Sequence, residues 1–421
     1  MPVLLRPARP PVLDGAQPRE IACPTPPMAL PPIRSSREQP PLVAVLGGAG
    51  AMGRAVVFDL ARAGHPVRIL ESDRAAARRV ARRYGGRACE VESADAMDPA
   101  ALALKLQGAA ALVNCAPYRL NLGAMDAALR AGCHYVDLGG LFHTTRKQLR
   151  RHADFRRAGL LAVLGMGSAP GIANVLARTA ADPLRRVRSI RIYNGGADRT
   201  RYASPLPFAF SPATILDEFT LPPVVFERGR FRSVPPLSGG EDFPFELGTQ
   251  RVHLSLHSEV ATLPLTYRRR GIRACTFKIA YDRELIWRLR LLIDLGLVDR
   301  RPGPRGVAPR DMLLDCFRRL PPPPEFVDDT DSLAVVVEGE DERGPVVVRH
   351  DLTARAQRVP PLSAVARDTG FPPAIVARMI LDGTITERGV LPPERCVPAG
   401  ELLAALARRG MRARRRATRP R

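Results

Sequence analysis

The stretch Gly48-Ala-Gly50-Ala-Met-Gly53 places three glycines in six positions, directly after an apolar run. Glycines at this spacing suit the close cradling of a phosphate by main chain. Gly48 permits a tight turn. Gly50 lets a pyrophosphate approach the backbone, where helix N–H groups and the helix dipole meet its charge. Gly53 lets the helix pack closely on the strand. Met52, inside the motif, is placed with them at the bound group. Glu71 follows Gly53 by 18 residues, where a carboxylate would accept hydrogen bonds from ribose hydroxyls and repel a 2′-phosphate. The stretch reads as a dinucleotide site that favours NAD, with NADP left possible by the nearby Arg74.

The motif needs a strand before it and a helix after it. Short apolar runs at 42–47, 67–71, 87–91, 110–115, 134–138 and 160–164 alternate with helical patterns at 51–63, 73–84, 98–107, 121–131 and 145–158. This alternation predicts an α/β fold, a Rossmann-type doubly wound parallel sheet over residues 42–169. Runs such as VAVLG and ALVNC are apolar throughout, as expected for strands covered on both faces. Residues 170–360 predict a second, α+β domain with a mostly antiparallel sheet. It includes strand-like runs at 251–257 and 272–281, a helix at 283–298 and a hairpin turning at Asp341-Glu-Arg-Gly344. Residues 361–410 predict helices, the first two stopping at Gly370 and Gly383. Residues 1–41 hold twelve prolines and no apolar period, which predicts a disordered leader. Residues 411–421 predict a disordered basic tail.

The net charge of +22 invites a nucleic-acid reading. However, 61 of the 64 basic residues are Arg, no basic stretch is interleaved with aromatics, and eight Arg lie after position 407. The pattern reads as Arg-rich codon usage with no specific nucleic-acid surface. Seven cysteines without a CxxC pair fit free thiols in a reducing compartment. The seven histidines show no metal spacing, and no metal site is expected. No apolar run has the length of a membrane span, and the N-terminus is broken by Pro, Arg and Asp too early for a signal peptide. The expectation is a cytoplasmic protein with no membrane contact.

Further stretches carry a family resemblance: VLGGAGAMGRAVVFDL (45–60), ALVNCAPYRLNLGAMDAALRAGCHYVDLGG (111–140), GMGSAPGIANVLA (165–177), LSGGEDFPFELG (237–248), HSEVATLP (257–264) and GFPPAIVARMILDGTITERGVLPPE (370–394). With these the chain resembles the saccharopine dehydrogenase family, in particular its lysine 6-dehydrogenase and saccharopine reductase branch. The resemblance implies a central domain for substrate and dimerisation, hence a homodimer, and C-terminal helices that return to the Rossmann domain. It also implies chemistry at a C–N bond, with a hydride passing between nicotinamide and the carbon bearing an amine.

Several residues fit that chemistry. Asn114-Cys115-Ala116-Pro117 follows the fourth strand, at the sheet edge where ligands lie; it touches the nicotinamide half or forms an ordinary turn. Asp95, after the third strand, contacts adenine or is a plain surface acid. Asp137 ends the fifth strand and is an acid–base or positioning carboxylate, or a cap for the next loop. Ser168, Pro170 and Gly171 precede a helix whose N–H groups would point at the cleft, and Asn174 in its first turn could bond the carboxamide or the substrate. Amine oxidation needs the neutral amine, so a base is required. His257 is the candidate, with Glu259 on the same side of an extended segment; the alternative is a structural histidine. Lys278 either shifts in pKa by burial or lies on a solvated strand face. A substrate carboxylate should meet Arg, but the sequence does not select one.

Three functions remain open: an NAD-linked oxidoreductase of a lysine- or saccharopine-like amino acid, a polyamine-pathway enzyme that couples a carbonyl and an amine reductively, and a dinucleotide-binding sensor or scaffold without turnover.

Overall fold

The computed structural model describes residues 40–303 and 306–419. The expected leader therefore lies, but for its last two residues, outside the described residues. The predicted parallel strands are β1 (Val43–Leu46), β2 (Val67–Glu71), β3 (Cys89–Ser93), β4 (Ala111–Asn114), β5 (His134–Asp137) and β6 (Leu161–Val163). Their spatial order is β3-β2-β1-β4-β5-β6, all parallel. The switch point of this doubly wound sheet lies between β1 and β4. A seventh strand, Gly389–Leu391, arrives from far along the chain and pairs in parallel with β6. Alternate side chains of β1 sort to opposite faces. Val43 and Val45 join one buried cluster, and Ala44 and Leu46 join another. Both faces are covered, which is why the run is apolar throughout.

The second sheet is mixed, with the main order Glu241–Phe245, Gly248–Leu254, Ala274–Ala280, Arg186–Asp198, Asp329–Asp341, Gly344–Arg355, Ala413–Thr418. Its pairings are antiparallel except that between Ala274–Ala280 and Arg186–Asp198. The expected hairpin turns where Asp341 faces Gly344. Val224–Glu227 and Arg230–Ser233 form a side hairpin against Ala274–Ala280.

Three expectations are corrected. Gly370 does not stop a helix, because Ala364–Leu381 is continuous through Pro372 and Pro373. A Cβ on Gly370 would lie 2.7 Å from Ala55 Cβ and from the Met52 carbonyl oxygen, so this glycine permits close approach of the helix Ala51–Arg62. Buried neighbours Phe371, Ala374, Ile375 and Val376 hold the helix together where the prolines lack N–H groups. The basic tail is also ordered in part. Ala413–Thr418 pairs with Gly344–Arg355, and Arg414 and Arg419 reach Glu246 and Asp341 at 2.9 and 2.6 Å. Finally, the segment from His257 is not extended; a helix runs from Glu259 to Thr266. Among the described residues, no helix is long and apolar enough to cross a membrane.

Candidate active site

The glycine loop joins β1 to the helix Ala51–Arg62. Its tight turn falls at Gly47, with φ of +73°, one residue before the glycine expected to make it. Gly48 instead lies under Ile69, whose Cγ2 would be 2.9 Å from an added Cβ. A Cβ on Gly53 would lie 2.2 Å from the Gly47 carbonyl oxygen, so close packing of helix on turn is confirmed there. A Cβ on Gly50 would meet only the Gly47 carbonyl oxygen, at 3.3 Å, which leaves its other side open. The N–H groups of Ala51, Met52 and Gly53 have no acceptor among the described residues. Free donors at a helix start beside an open glycine fit a dinucleotide pyrophosphate. The Met52 side chain is buried in the core beneath the loop. Glu71 ends β2 and turns to the loop, where its Oε2 accepts from the Ala49 N–H at 3.2 Å. Asp95 is exposed, and its Oδ1 accepts from the Met97 N–H, 2.8 Å away, closing its own turn.

The ends of β4 and β5 are tied by buried polar groups. Asp137 is fully buried. Its Oδ1 accepts from the N–H groups of Gly139 and Gly165 at 3.0 and 2.7 Å. Its Oδ2 accepts from Asn121 Nδ2, the Tyr135 hydroxyl and Gln148 Nε2 at 3.1, 3.0 and 2.6 Å. Burial raises its pKa and these bonds oppose the rise. With its lone pairs occupied, Asp137 is a positioning group, and an acid–base role does not suit it. Asn114 is similarly engaged: its Nδ2 donates to Asn121 Oδ1 and the Tyr135 hydroxyl, both at 3.0 Å, and its Oδ1 accepts from Ala116 N–H. Cys115 is held as a neutral thiol, first by burial and then by the charges of Asp137 and Glu71. Pro117 leads into Tyr118 and Arg119.

The loop after β6 is locked from within. The Pro170 ring fills the space over Gly139 and Gly165, whose added Cβ atoms would lie 2.8 and 2.7 Å from it. Gly171 has φ of +124°, and a Cβ there would lie 2.2 Å from the Gly167 carbonyl oxygen. Its need is this close backbone approach, where contact with a cofactor ring was expected. Asn174 is buried with its amide fully occupied. It accepts from the Gly171 N–H at 3.0 Å and donates to Glu394 Oε2 and Thr262 Oγ1 at 2.8 and 3.3 Å. It shapes the loop and has no free atom for a carboxamide. Ser168 is buried in the same loop.

The segment around His257 docks on the turn after β5, as the Ser258 hydroxyl oxygen accepts from the Gly140 N–H at 3.2 Å. His257 stacks on Phe277 with ring centroids 3.7 Å apart. Its Nδ1 lies 2.6 Å from Glu259 Oε2, so the predicted pair meets although the segment is not extended. Nε2 has no partner among the described residues, and the ring keeps a small exposed edge. Burial alone would lower the pKa of His257; the charge and hydrogen bond of Glu259 and the charge of Glu218 reverse this, and the net direction is upward. Glu218 bonds the Tyr281 hydroxyl, and burial raises its pKa.

Its neighbour Asp217, on the same helix Pro212–Thr220, organises an opposite charge. Its carboxylate accepts from the Tyr118 hydroxyl and from Arg119 at 2.7 Å each, from Arg310 at 2.6 Å, and from Arg300. Three guanidiniums face one carboxylate. Arg310 is buried, with Nε and Nη1 lacking acceptors, whereas the side chains of Arg119 and Arg300 are 42% and 49% exposed. Sequence reasoning missed this group; the one signal was that Tyr118-Arg119 directly follows Pro117. Lys278 is on neither side of the site: it pairs with Glu241 at 2.7 Å, where a solvated face was one expectation. Among the described residues, no three His, Cys, Asp or Glu side chains are grouped to hold a metal.

Two family models match the chain. One is described as the saccharopine dehydrogenase C-terminal domain and matches residues 167–411; the other, as the saccharopine dehydrogenase NADP binding domain, matches residues 43–163. Carboxyaminopropylagmatine dehydrogenase of Synechocystis sp. is 27% identical over 267 residues, covering 59% of this chain. The match spans 65% of that relative's length. Apo histidine-tagged saccharopine dehydrogenase (L-Glu forming) from Saccharomyces cerevisiae has a TM-score of 0.69 at 17% identity, covering 90% of this chain and 100% of that chain. At that identity the likeness is one of fold.

Proposed function

The chain belongs to the saccharopine dehydrogenase family, and on that premise we propose that it is an NAD(P)-dependent oxidoreductase acting at the C–N bond of an amino acid. The carrying observation is that adjacent residues of one helix, Asp217 and Glu218, serve opposite clusters. Asp217 gathers Arg119, Arg300 and Arg310, and Glu218 lies with Tyr281 and His257. The first cluster suits a substrate carboxylate and the second suits a substrate amine. A lysine- or saccharopine-like compound carries both groups. The name of the Synechocystis relative likewise joins a carboxylate to an amine, which supports a polyamine-type substrate as the second reading.

The dinucleotide, when bound, supplies hydride acceptance or donation. Its pyrophosphate would rest on Gly50 and the free N–H groups of Ala51, Met52 and Gly53. Glu71 would take the ribose hydroxyls, and NAD is the proposed preference. Arg119 and Arg300 would orient the substrate carboxylate in bidentate fashion. His257 Nε2 would take the proton from the substrate ammonium, since an ammonium has no lone pair to drive hydride departure. Glu259 would hold the His257 tautomer through Nδ1. A homodimer belongs to the same proposal.

The test is a titration of the full chain with NADH and with NADPH, read by nicotinamide fluorescence, followed by an amine screen. We expect tighter NADH binding, weakened roughly 10-fold to 100-fold in Glu71→Ala by loss of a charged hydrogen-bond acceptor, and abolished in Gly50→Val. Ammonia release in the screen marks a deaminating dehydrogenase; joint consumption of an amine and a carbonyl marks a condensing reductase. Binding of neither dinucleotide overturns the enzyme reading.

A further inference from the structure

A cleft of about 370 Å³ lies between the helices Ala51–Arg62 and Ala364–Leu381 and the end of the helix Ala399–Ala407. Five arginines line it, Arg62, Arg367, Arg378, Arg408 and Arg409, against one acid, Asp59. That acid is already paired, since Arg409 Nε and Nη2 donate to its two oxygens at 2.6 and 2.8 Å. Arg367 is turned to the carbonyl oxygens of Arg355 and Arg409, and its Nε is buried without an acceptor. Arg62, Arg378 and Arg408 make no side-chain hydrogen bond or ion pair among the described residues.

Arg62, Arg378 and Arg408 each stand at the C-terminal end of a helix, where a cation meets the helix dipole favourably, but none finds a carboxylate among the described residues, as Arg409 does. Here like charges converge on a concavity, where low-dielectric walls strengthen their mutual field. The floor is apolar: the rings of Phe58 and Phe371 lie 6.3 Å apart, and both line the cleft. The lining carries four more positive than negative charges. A single carboxylate would leave most of that unbalanced. A phosphate group carries about −1.5 to −2 and accepts the guanidinium fork. Two such groups match the charge.

We propose that this cleft binds a small polyanion bearing two or more phosphate groups. The site is separate from the glycine loop. The loop caps the start of the helix Ala51–Arg62, and the cleft takes its far end, about 18 Å away at 1.5 Å per residue. Occupancy would therefore bear on the opposite end of the helix that carries the dinucleotide donors.

The test is a calorimetric titration of the full chain with inorganic pyrophosphate at low ionic strength, with NADH present so that the glycine loop is filled. We expect one saturable site per chain, weakened by added salt. In Arg62→Ala/Arg378→Ala, where neither side chain has a hydrogen-bond or ion-pair partner among the described residues, affinity should fall at least about tenfold with melting temperature lowered by no more than a few degrees. In Arg186→Ala/Arg273→Ala, on the other basic cleft, it should not change. Three results would overturn the proposal: no saturable binding by the unmodified chain, equal weakening in both double variants, or binding that NADH removes and the Arg62/Arg378 pair does not affect. If NADH itself fails to bind, Gly50→Val replaces it as the control for the glycine loop, so failure of the cleft and failure of the dinucleotide reading are distinguishable.

Discussion

His257 titrates under the control of two carboxylates. The pKa of His257 is raised, so its basic form gains at a higher pH than that of an ordinary histidine. If it accepts the amine proton, kcat/KM for amine oxidation should fall as pH drops through that raised value. Glu259→Gln removes the larger of the two opposing charges, and the acid limb should move to lower pH. His257→Gln should lower kcat by roughly 10²- to 10⁴-fold and abolish the limb; an unchanged profile would leave the histidine structural. The pairing of His257 with Glu259 was legible because the two stand two residues apart, a signal that His152 and Asp154 share. The carboxylates proposed to sort the site, Asp217 and Glu218, were not legible. Their meaning comes from which of 61 arginines folds onto them, and that is decided over separations of 83 to 98 residues. Asn174 and Gly171 show the converse. Their types suited a cofactor contact, but local closure of the loop uses the same hydrogen bonds and the same missing Cβ.

The helix Ala364–Leu381 illustrates what periodicity cannot decide. Gly and Pro are strong stop signals in isolation, but burial against the helix Ala51–Arg62 outweighs them here. Strand–helix alternation in the first sheet, by contrast, was legible because the central strands β1, β4 and β5 are covered on both faces and helices lie in each connection from β1 to β6. The three-residue strand Gly389–Leu391 is too short for any period to register. The same long helix carries Asp368 against Asp331 of the strand Asp329–Asp341. Burial, then the charge of Asp331, holds Asp368 well above its usual value of 3.8. A raised carboxyl makes the folded chain bind its proton more tightly than the unfolded chain does. Its contribution to stability is therefore present at low pH and is lost as pH rises from 3.8 through the raised value. Asp368→Asn cannot titrate. Subtracting its denaturation free energies from those of the unmodified chain should give a difference that declines with pH across that window. A flat difference would show that the carboxyl is not held protonated.

At the scale of the molecule, the second sheet is closed on one side by the arginine-rich strand Ala413–Thr418. Deleting residues 413–421 should lower the melting temperature by a few degrees and speed amide exchange over 347–352, while NADH binding is retained because the first sheet is untouched. The tail was misread because Arg at high density signals disorder by composition, and its pairing with Glu246 and Asp341 is invisible along the chain. The proposed homodimer has a direct optical readout. Trp287 is the single tryptophan, and with Leu291 and Leu295 it forms an exposed apolar stripe at 67%, 47% and 63%. If two chains meet there, tryptophan emission should shift to the blue as concentration rises through the dissociation constant; an invariant red emission in a dimer would place the contact elsewhere. The strand Gly389–Leu391 has a further consequence, for synthesis. A ribosome that has released β6 has delivered six of the seven parallel strands, and the outer edge of β6 then waits for residues 389–391. At roughly 5–20 residues per second, that wait is on the order of ten to fifty seconds. Throughout it, the nascent chain exposes a row of unpaired N–H and C=O groups that any other extended segment could take. The edge of β6 therefore stays without its strand partner until residues 389–391 have emerged.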